Sequence, residues 1–453
     1  MLLVVGLIGL SIWLVKVIQN VNGPYLEYGE GFIVYLARLF GMDQWQYNLQ
    51  GPPYQVSFYT PLYFWIMGKL GGTLFIGRLI DVICAAGSMI FVFLIVYNMT
   101  KNKLIALIGA LIPATQYIFI QWSLILKTDL MALIFELAGI YIALRCWRSK
   151  WLYLSILFFA LSFYSKQSFI AGALAVAVVL FIENRRRGLT FSSLTALSIG
   201  VPLGVLTFLT QGEFFRQIFT YLQTSPAFTG IWNYLQWLVL DYWTILPALI
   251  AGLYYIFNRP THLLSVYALT AILMSFISIA RPGSSQIYMF EPIFSLAIIG
   301  SIGVMEIIKK RQAIYIALMV VIPLVALFSN NLVYFSTPEY RADLIEAESI
   351  IADADYPILT ENPGMVLNAD KTPYLCDPFV FMNLASLGIW DETPLLNDLN
   401  SKRIPYVITQ TAIPQDKIRR LSWPVQEAIH VNYHIVFDKS KYQSGFIIYK
   451  ANE

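Results

Sequence analysis

Residues 129–187 read DLMALIFELAGIYIALRCWRSKWLYLSILFFALSFYSKQSFIAGALAVAVVLFIENRRR, and this stretch decides the fold. Three apolar runs, 129–146, 151–166 and 167–183, follow one another with charge concentrated in the turns. A transmembrane helix needs about 20 mostly apolar residues, and each run approaches that length. Arg145, Arg148 and Lys150 fall in the first turn, Lys166 and Gln167 in the second, and Arg185, Arg186 and Arg187 after the third run. Basic residues favour the cytoplasmic side of a membrane. The two arginine-rich turns are therefore expected on that side, and the Lys166-Gln167 turn on the other.

Working outward, the same pattern repeats along the chain. Candidate spans are 1–19, 74–99, 103–122, 129–146, 151–166, 167–183, 190–210, 234–257, 262–280, 287–306 and 312–333. Lys101, Lys103, Arg259, Lys309, Lys310 and Arg311 then fall on the same side as the arginine-rich turns if the N-terminus is cytoplasmic. One helix more or fewer breaks that alternation. The opening MLLVVGLIGLSIWLVKVIQ has neither a basic flank before it nor a small-x-small site after it. It reads as a first membrane helix rather than a cleaved signal peptide.

Composition agrees. Of 453 residues, 58% are hydrophobic and 13% charged, whereas soluble domains carry about 25% charge. The mean hydropathy is +0.63. A net charge of +3 gives no footing for nucleic acid. There is no phosphate-binding Gly-x-x-x-x-Gly-Lys-Ser/Thr loop and no Gly-x-Gly-x-x-Gly after a strand, which argues against cytoplasmic nucleotide use. His262, His430 and His434 do not make a zinc site, and no metal ligand set is assigned. Cys376 stands alone in its region, so no disulfide is expected there.

The expected fold is an α-helical polytopic membrane protein of about eleven transmembrane helices, with a small exterior α/β domain at the C-terminus. The membrane domain covers 1–333 and includes an exterior first loop, 20–73. The second domain covers 334–453, where charge returns. There YPILTEN, IPYVITQ, HIVFD and GFIIYK read as strands, and RADLIEAESIIADA, PFVFMNLASLG and QDKIRRLSWPVQEAI as helices. In the first loop, SFYTPLYFWIMGKLG is amphipathic and too short to span, so it is expected in the membrane interface.

Candidate chemistry gathers on the exterior face. Glu27 and Glu30 stand just beyond the first helix, where a carboxylate can act as general base on a hydroxyl; a simple acidic loop is the plainer alternative. Asp129 opens the fourth span beside Lys127, and an acid within a membrane helix calls for a cavity or a partner. Glu136 lies on the same helical face. Lys166, Arg281 and Lys127 place positive charge on the side where it is usually scarce, fitted to an anionic headgroup and a phosphate leaving group. Gln167 adjoins Lys166, and Glu291 begins the tenth span.

Taken together, these residues resemble the GT-C superfamily of membrane glycosyltransferases, near its dolichyl-phosphate-mannose protein mannosyltransferase and aminoarabinose-transferase branch. Glu27-Tyr28-Gly29-Glu30-Gly31 followed by Tyr59-Thr60-Pro61-Leu62-Tyr63 is similar to the family's acidic first-loop motif and its Tyr-Pro-Pro-Leu-Tyr segment. Gly77-Arg78 opens the second span, Lys127-Thr128-Asp129 looks like the Arg-x-Asp motif, and Lys166-Gln167-Ser168 like the Lys-Gln-Thr/Ser turn. The chain departs from the pattern in its separated glutamates and in Thr60 for proline.

The resemblance implies an inverting transferase that moves a hexose or pentose from a polyprenyl-phosphate donor to a hydroxyl on a lipid, glycan or protein. Glu27 or Glu30 would remove the acceptor proton. Asp129 would orient the acceptor or base, or help hold a divalent metal where one is used, although no cofactor is required. Lys127, Lys166 and Arg281 would hold the phosphate; Gln167, Tyr59, Tyr63 and Glu291 would complete the substrate site. The alternative is a transporter or flippase of a lipid-linked sugar, which paired halves with broken helices would favour. No such halves are evident, and the ionisable residues cluster at one face.

Overall fold

The computed structural model of the protein describes residues 2–44, 49–221, 232, 245–281, 284–308, 337–414, 420–440 and 445–453. The helices α1 (Leu2–Asn20), α2 (Tyr28–Gly41), α3 (Leu62–Lys69), α4 (Leu74–Thr100), α5 (Lys103–Leu111) and α6 (Tyr117–Trp122) come first. They are followed by α7 (Asp129–Arg145), α8 (Leu154–Ser165), α9 (Ala171–Glu183) and α10 (Arg185–Leu209). After a gap come α11 (Leu246–Asn258), α12 (Leu263–Ile279) and α13 (Phe290–Ile308).

Four of these helices are long and apolar enough to cross a membrane by length and composition: α1, α4, α10 and α13 with its leading turn. Among the described residues α8, α9, α11 and α12 are shorter apolar helices, and α7 packs against α4, α8 and α9. Helix α13 is almost wholly enclosed, whereas α10 turns nearly all of its surface outward. Phe208 is 84% and Phe257 81% exposed. A water-soluble surface would not carry so many bare apolar side chains, but the hydrocarbon core of a bilayer accommodates them. The protein is an integral membrane protein.

Most expected spans match a helix to within a few residues. One does not: the run 103–122 is broken. Helix α5 ends at Leu111, a 3₁₀ turn occupies Pro113–Thr115, and α6 restarts at Tyr117. Pro113 has no N–H to donate and its ring crowds the preceding turn, so the helix stops there. The expected span 312–333 and the residues 234–244 lie outside the described residues. The SFYTPLYFWIMGKLG segment forms the eight-residue helix α3, which buries Tyr63, Phe64 and Met67.

The C-terminal segment contains α14 (Pro338–Ile350), α15 (Pro363–Asn368), α16 (Pro378–Ser386), α17 (Thr393–Asn400) and α18 (Trp423–Asn432). Its sheet is built of β1 (Leu359–Thr360), β2 (Tyr406–Thr409), β3 (Tyr433–Asp438) and β4 (Ile447–Ala451), in the order β1-β2-β4-β3. All four expected strands are present. β1 and β2 run parallel, and β4 pairs antiparallel with both β2 and β3. Of the expected helices, 415–419 fall outside the described residues; α15 and α17 were not anticipated.

The segment docks on the first loop. Tyr54 pairs with Leu375 as an isolated parallel bridge, and Val56 N–H donates to the Cys376 sulfur at 3.3 Å. Helix α15 packs against α2 so closely that a Cβ on Gly31 would lie 2.1 Å from the Gly364 nitrogen. Only glycine allows that approach.

Candidate functional site

Glu27 and Glu30 start α2 as a reciprocal cap. The Glu27 side chain accepts from Gly29 N–H at 2.9 Å, and Glu30 accepts from Glu27 N–H at 3.3 Å. This capping box satisfies donors that a helix start leaves open. The two acids then part company. Glu30 is fully buried. Its oxygens also accept from Leu26 N–H at 2.6 Å, from Leu126 N–H at 3.0 Å, and from Arg78 Nε and Nη2 at 2.9 and 2.8 Å. Arg78 spends its remaining donors on the carbonyls of Asn20, Gly23 and Pro24. A carboxylate offers about four acceptor sites, so Glu30 has none left for a substrate proton. Through these bonds Glu30 ties α1, α2, α4 and the loop before α7 together.

Glu27 remains partly open, with its side chain 11% exposed, and pairs with Lys127 Nζ at 2.7 Å. Lys127 in turn donates its backbone N–H to Asp81 Oδ2 at 2.8 Å, while Tyr63 donates to Asp81 Oδ1 at 3.0 Å. Tyr63, expected at the substrate site, is wholly enclosed and braces α3 against α4. The sequence reading did not single out Asp81; an acid inside a membrane span, three residues after Arg78, was the available signal.

The second pair joins Asp129, first residue of α7, to Lys166, which terminates α8. Lys166 Nζ lies 2.6 Å from Asp129 Oδ1, and both side chains are almost fully buried. The same ammonium sits 4.2 Å from the Tyr288 ring centroid and 5.5 Å from that of Tyr59. Two aromatic faces and one carboxylate replace the water it has lost. Three side-chain contacts fix the neighbouring strand of loop: Gln167 Nε2 donates to Phe58 O at 2.5 Å, Thr60 Oγ1 to Phe163 O at 2.8 Å, and Ser57 N–H to Gln217 Oε1 at 2.7 Å.

Lys166, Gln167 and Tyr59 open onto a cavity of about 590 Å³. Arg281 and Tyr288 add to its wall from the connection between α12 and α13, and Asp377 and Asn383 from α16 and its start. Arg281 is exposed and makes no ion pair among the described residues. Asp377 is 7% exposed. Burial pushes its carboxyl up to about 6, an effect that Arg420 and the Val380 amide only partly offset. Tyr28 also lines the cavity, with Arg420 stacked 4.1 Å from its ring centroid.

Glu291 stands elsewhere. It is buried in the bundle beside Glu136, which accepts from Gly172 N–H at 2.6 Å and from Tyr267 OH at 3.3 Å. Glu291, expected at the substrate site, is placed in an interior polar knot linking α7, α9, α12 and α13. Among the described residues no three His, Cys, Asp or Glu side chains assemble as a metal-holding group.

Set against known proteins, residues 55–211 match the family model described as dolichyl-phosphate-mannose-protein mannosyltransferase. That stretch holds Tyr59, Tyr63, Lys127, Asp129, Lys166 and Gln167, and excludes Glu27, Glu30, Arg281, Glu291 and Asp377. No curated protein matches the chain by sequence. Among solved structures, the chain is similar to ArnT from Cupriavidus metallidurans bound to undecaprenyl phosphate, with a TM-score of 0.64 and 11% identity over 98% of this chain and 97% of that one. The apo form of the same protein gives a TM-score of 0.65 with equal identity and coverage. The fold expected from the GT-C resemblance is borne out: the chain shares the fold of ArnT along nearly its whole length.

Proposed function

We propose that the protein is an inverting glycosyltransferase that moves a sugar from a polyprenyl-phosphate donor to a hydroxyl of a lipid, glycan or protein at the non-cytoplasmic membrane face. The observation that carries this is the cavity wall. Lys166 and Arg281 present two cations to one chamber at the end of an apolar bundle, the chemistry that an anionic lipid headgroup requires. ArnT, which shares the fold, is described as bound to undecaprenyl phosphate. The family whose model matches is described by a dolichyl-phosphate sugar donor.

In this reading Lys166 and Arg281 hold the phosphate, and Asp129 holds Lys166 in place. The acceptor oxygen attacks the anomeric carbon as the carbon–oxygen bond to phosphate breaks. The bonding pair leaves on the polyprenyl phosphate, whose growing charge the cations stabilise. The acceptor proton passes to a carboxylate. Of the acids expected from the sequence, Glu27 is the base we carry forward: Glu30 is saturated and Asp129 is almost fully enclosed with Lys166, whereas Glu27, although paired with Lys127, keeps 11% of its side chain exposed. Glu27 stands one residue before the cavity-lining Tyr28 and is held by Lys127 at 2.7 Å. Orientation in the membrane follows the basic turns: N-terminus cytoplasmic, cavity and C-terminal segment outside.

The test is release of labelled sugar from a polyprenyl-phosphate donor by purified protein in detergent, with Glu27→Gln as control. Release that depends on Glu27 supports the reading; release unchanged in Glu27→Gln removes Glu27 as base.

A further inference from the structure

The cavity has two chemically opposed walls. The helical bundle supplies Lys166 and Arg281, whereas the C-terminal segment supplies Asp377, at the first turn of α16. Asp377 is more than nine-tenths buried, and among the described residues its Oδ1 has no hydrogen-bond partner. An unsatisfied carboxylate oxygen in such a place is costly unless something donates to it. A phosphate cannot: it carries no donor when fully ionised, and like charges repel. The group that fits is a neutral hydroxyl.

The surroundings agree. Tyr59 lines the same cavity, with Lys166 Nζ 5.5 Å from its ring centroid. The Glu27–Lys127 pair acts on Asp377 from the side of α2, and Arg420 from the segment before α18. Asn383, one helical turn and a half along α16, adds a side chain able to donate and accept. Asp377 also lies outside the stretch that matches the family model, which ends at residue 211.

We propose that Asp377 is the acceptor-binding residue of the site, its Oδ1 receiving a hydrogen bond from a hydroxyl of the acceptor while the cations hold the donor phosphate. This rests on the glycosyltransferase reading above. The C-terminal segment is then part of the substrate site rather than an appendage. It selects acceptors that present a hydroxyl donor to that oxygen, and disfavours acceptors that bring a phosphate to the same place.

The full-length protein in detergent tests this, with a polyprenyl-phosphate sugar as donor and an envelope lipid extract as acceptor probe. Asp377→Asn keeps the shape but turns half of the carboxylate into a donor. It is expected to raise the apparent KM for the extract at least tenfold, while binding of sugar-free polyprenyl phosphate stays within twofold of wild type. Asp377→Glu is expected to recover part of the loss, which a purely structural role would not allow. Transfer by Asp377→Asn within twofold of wild type overturns the proposal. So does an equal loss of polyprenyl-phosphate binding, which would place Asp377 on the donor side. Wild-type protein that releases no sugar from any donor overturns the enzymatic reading itself, and is told apart because the first two outcomes require an active wild type.

Discussion

Lys166 Nζ lies 2.6 Å from Asp129 Oδ1 inside the protein, yet Lys166 also forms part of the cavity wall. The ion pair joins the start of α7 to the end of α8, so a single contact both closes the bundle and aims a cation at the chamber.

Separating these two duties is the first prediction. Removing one partner of a buried pair costs about 3–5 kcal/mol, because the other charge is stranded. Lys166→Met and Asp129→Leu are each expected to lower the thermal midpoint sharply. The double variant should recover much of the stability but none of the polyprenyl-phosphate affinity. Thermal unfolding in detergent and titration with polyprenyl phosphate read the two effects separately.

The two glutamates of the first loop should behave oppositely. Glu30→Gln disrupts a fully buried Arg78 network and is expected to cost about 3–5 kcal/mol of stability. Glu27→Gln touches a partly open pair and should fold normally, with turnover reduced at least ~100-fold, the scale of general base catalysis. Comparing melting and turnover for both variants checks the assignment.

Docking of the C-terminal segment is expected to be intolerant at Gly31. Gly31→Ala forces a Cβ to 2.1 Å from the Gly364 nitrogen, so stability and transfer should fall together. Gly200→Ala in α10 meets nothing within 4 Å and should be neutral or slightly stabilising, since alanine favours helix by about 1 kcal/mol. Proteolytic release of the segment in the first variant alone would support the contact.

Asp377 makes a pH prediction with a defined sign. Burial raises its carboxyl from 3.8 to about 6. Between those values the folded protein holds a proton that the unfolded chain has released, so this residue's contribution to stability falls as pH rises from about 4 to about 6. The shift of roughly 2 units corresponds to about 3 kcal/mol. Asp377→Asn removes the penalty and should melt no lower than wild type at pH 7.5. In wild type, acceptor KM should increase below about pH 6, as the carboxylate is protonated, and that dependence should vanish in Asp377→Asn.

What the sequence made legible was what repeats locally. Apolar runs between charged turns placed the helices, and alternation placed β1 to β4. Lys127, Asp129, Lys166 and Gln167 could be singled out because a charge or amide beside an apolar run is conspicuous. The break at Pro113 is legible in principle, but the hydropathy of 103–122 stays high on both sides and masks it. The fates of Glu27 and Glu30 could not be separated, because they depend on Arg78, 48 residues beyond Glu30. Asp377 gave no signal at all: it reads as an ordinary acid before Pro378, and only the folding of the C-terminal segment onto the first loop carries it to Lys166 and Tyr59.

The most direct measurement follows a polyprenyl-phosphate sugar labelled in its sugar, incubated with the purified protein in sealed vesicles containing envelope lipids. The account predicts that label leaves the carrier and appears on a hydroxyl acceptor, with the anomeric configuration inverted and dependence on Lys166. Label that crosses the bilayer still attached to its carrier, with no transfer, would contradict it and identify a transporter.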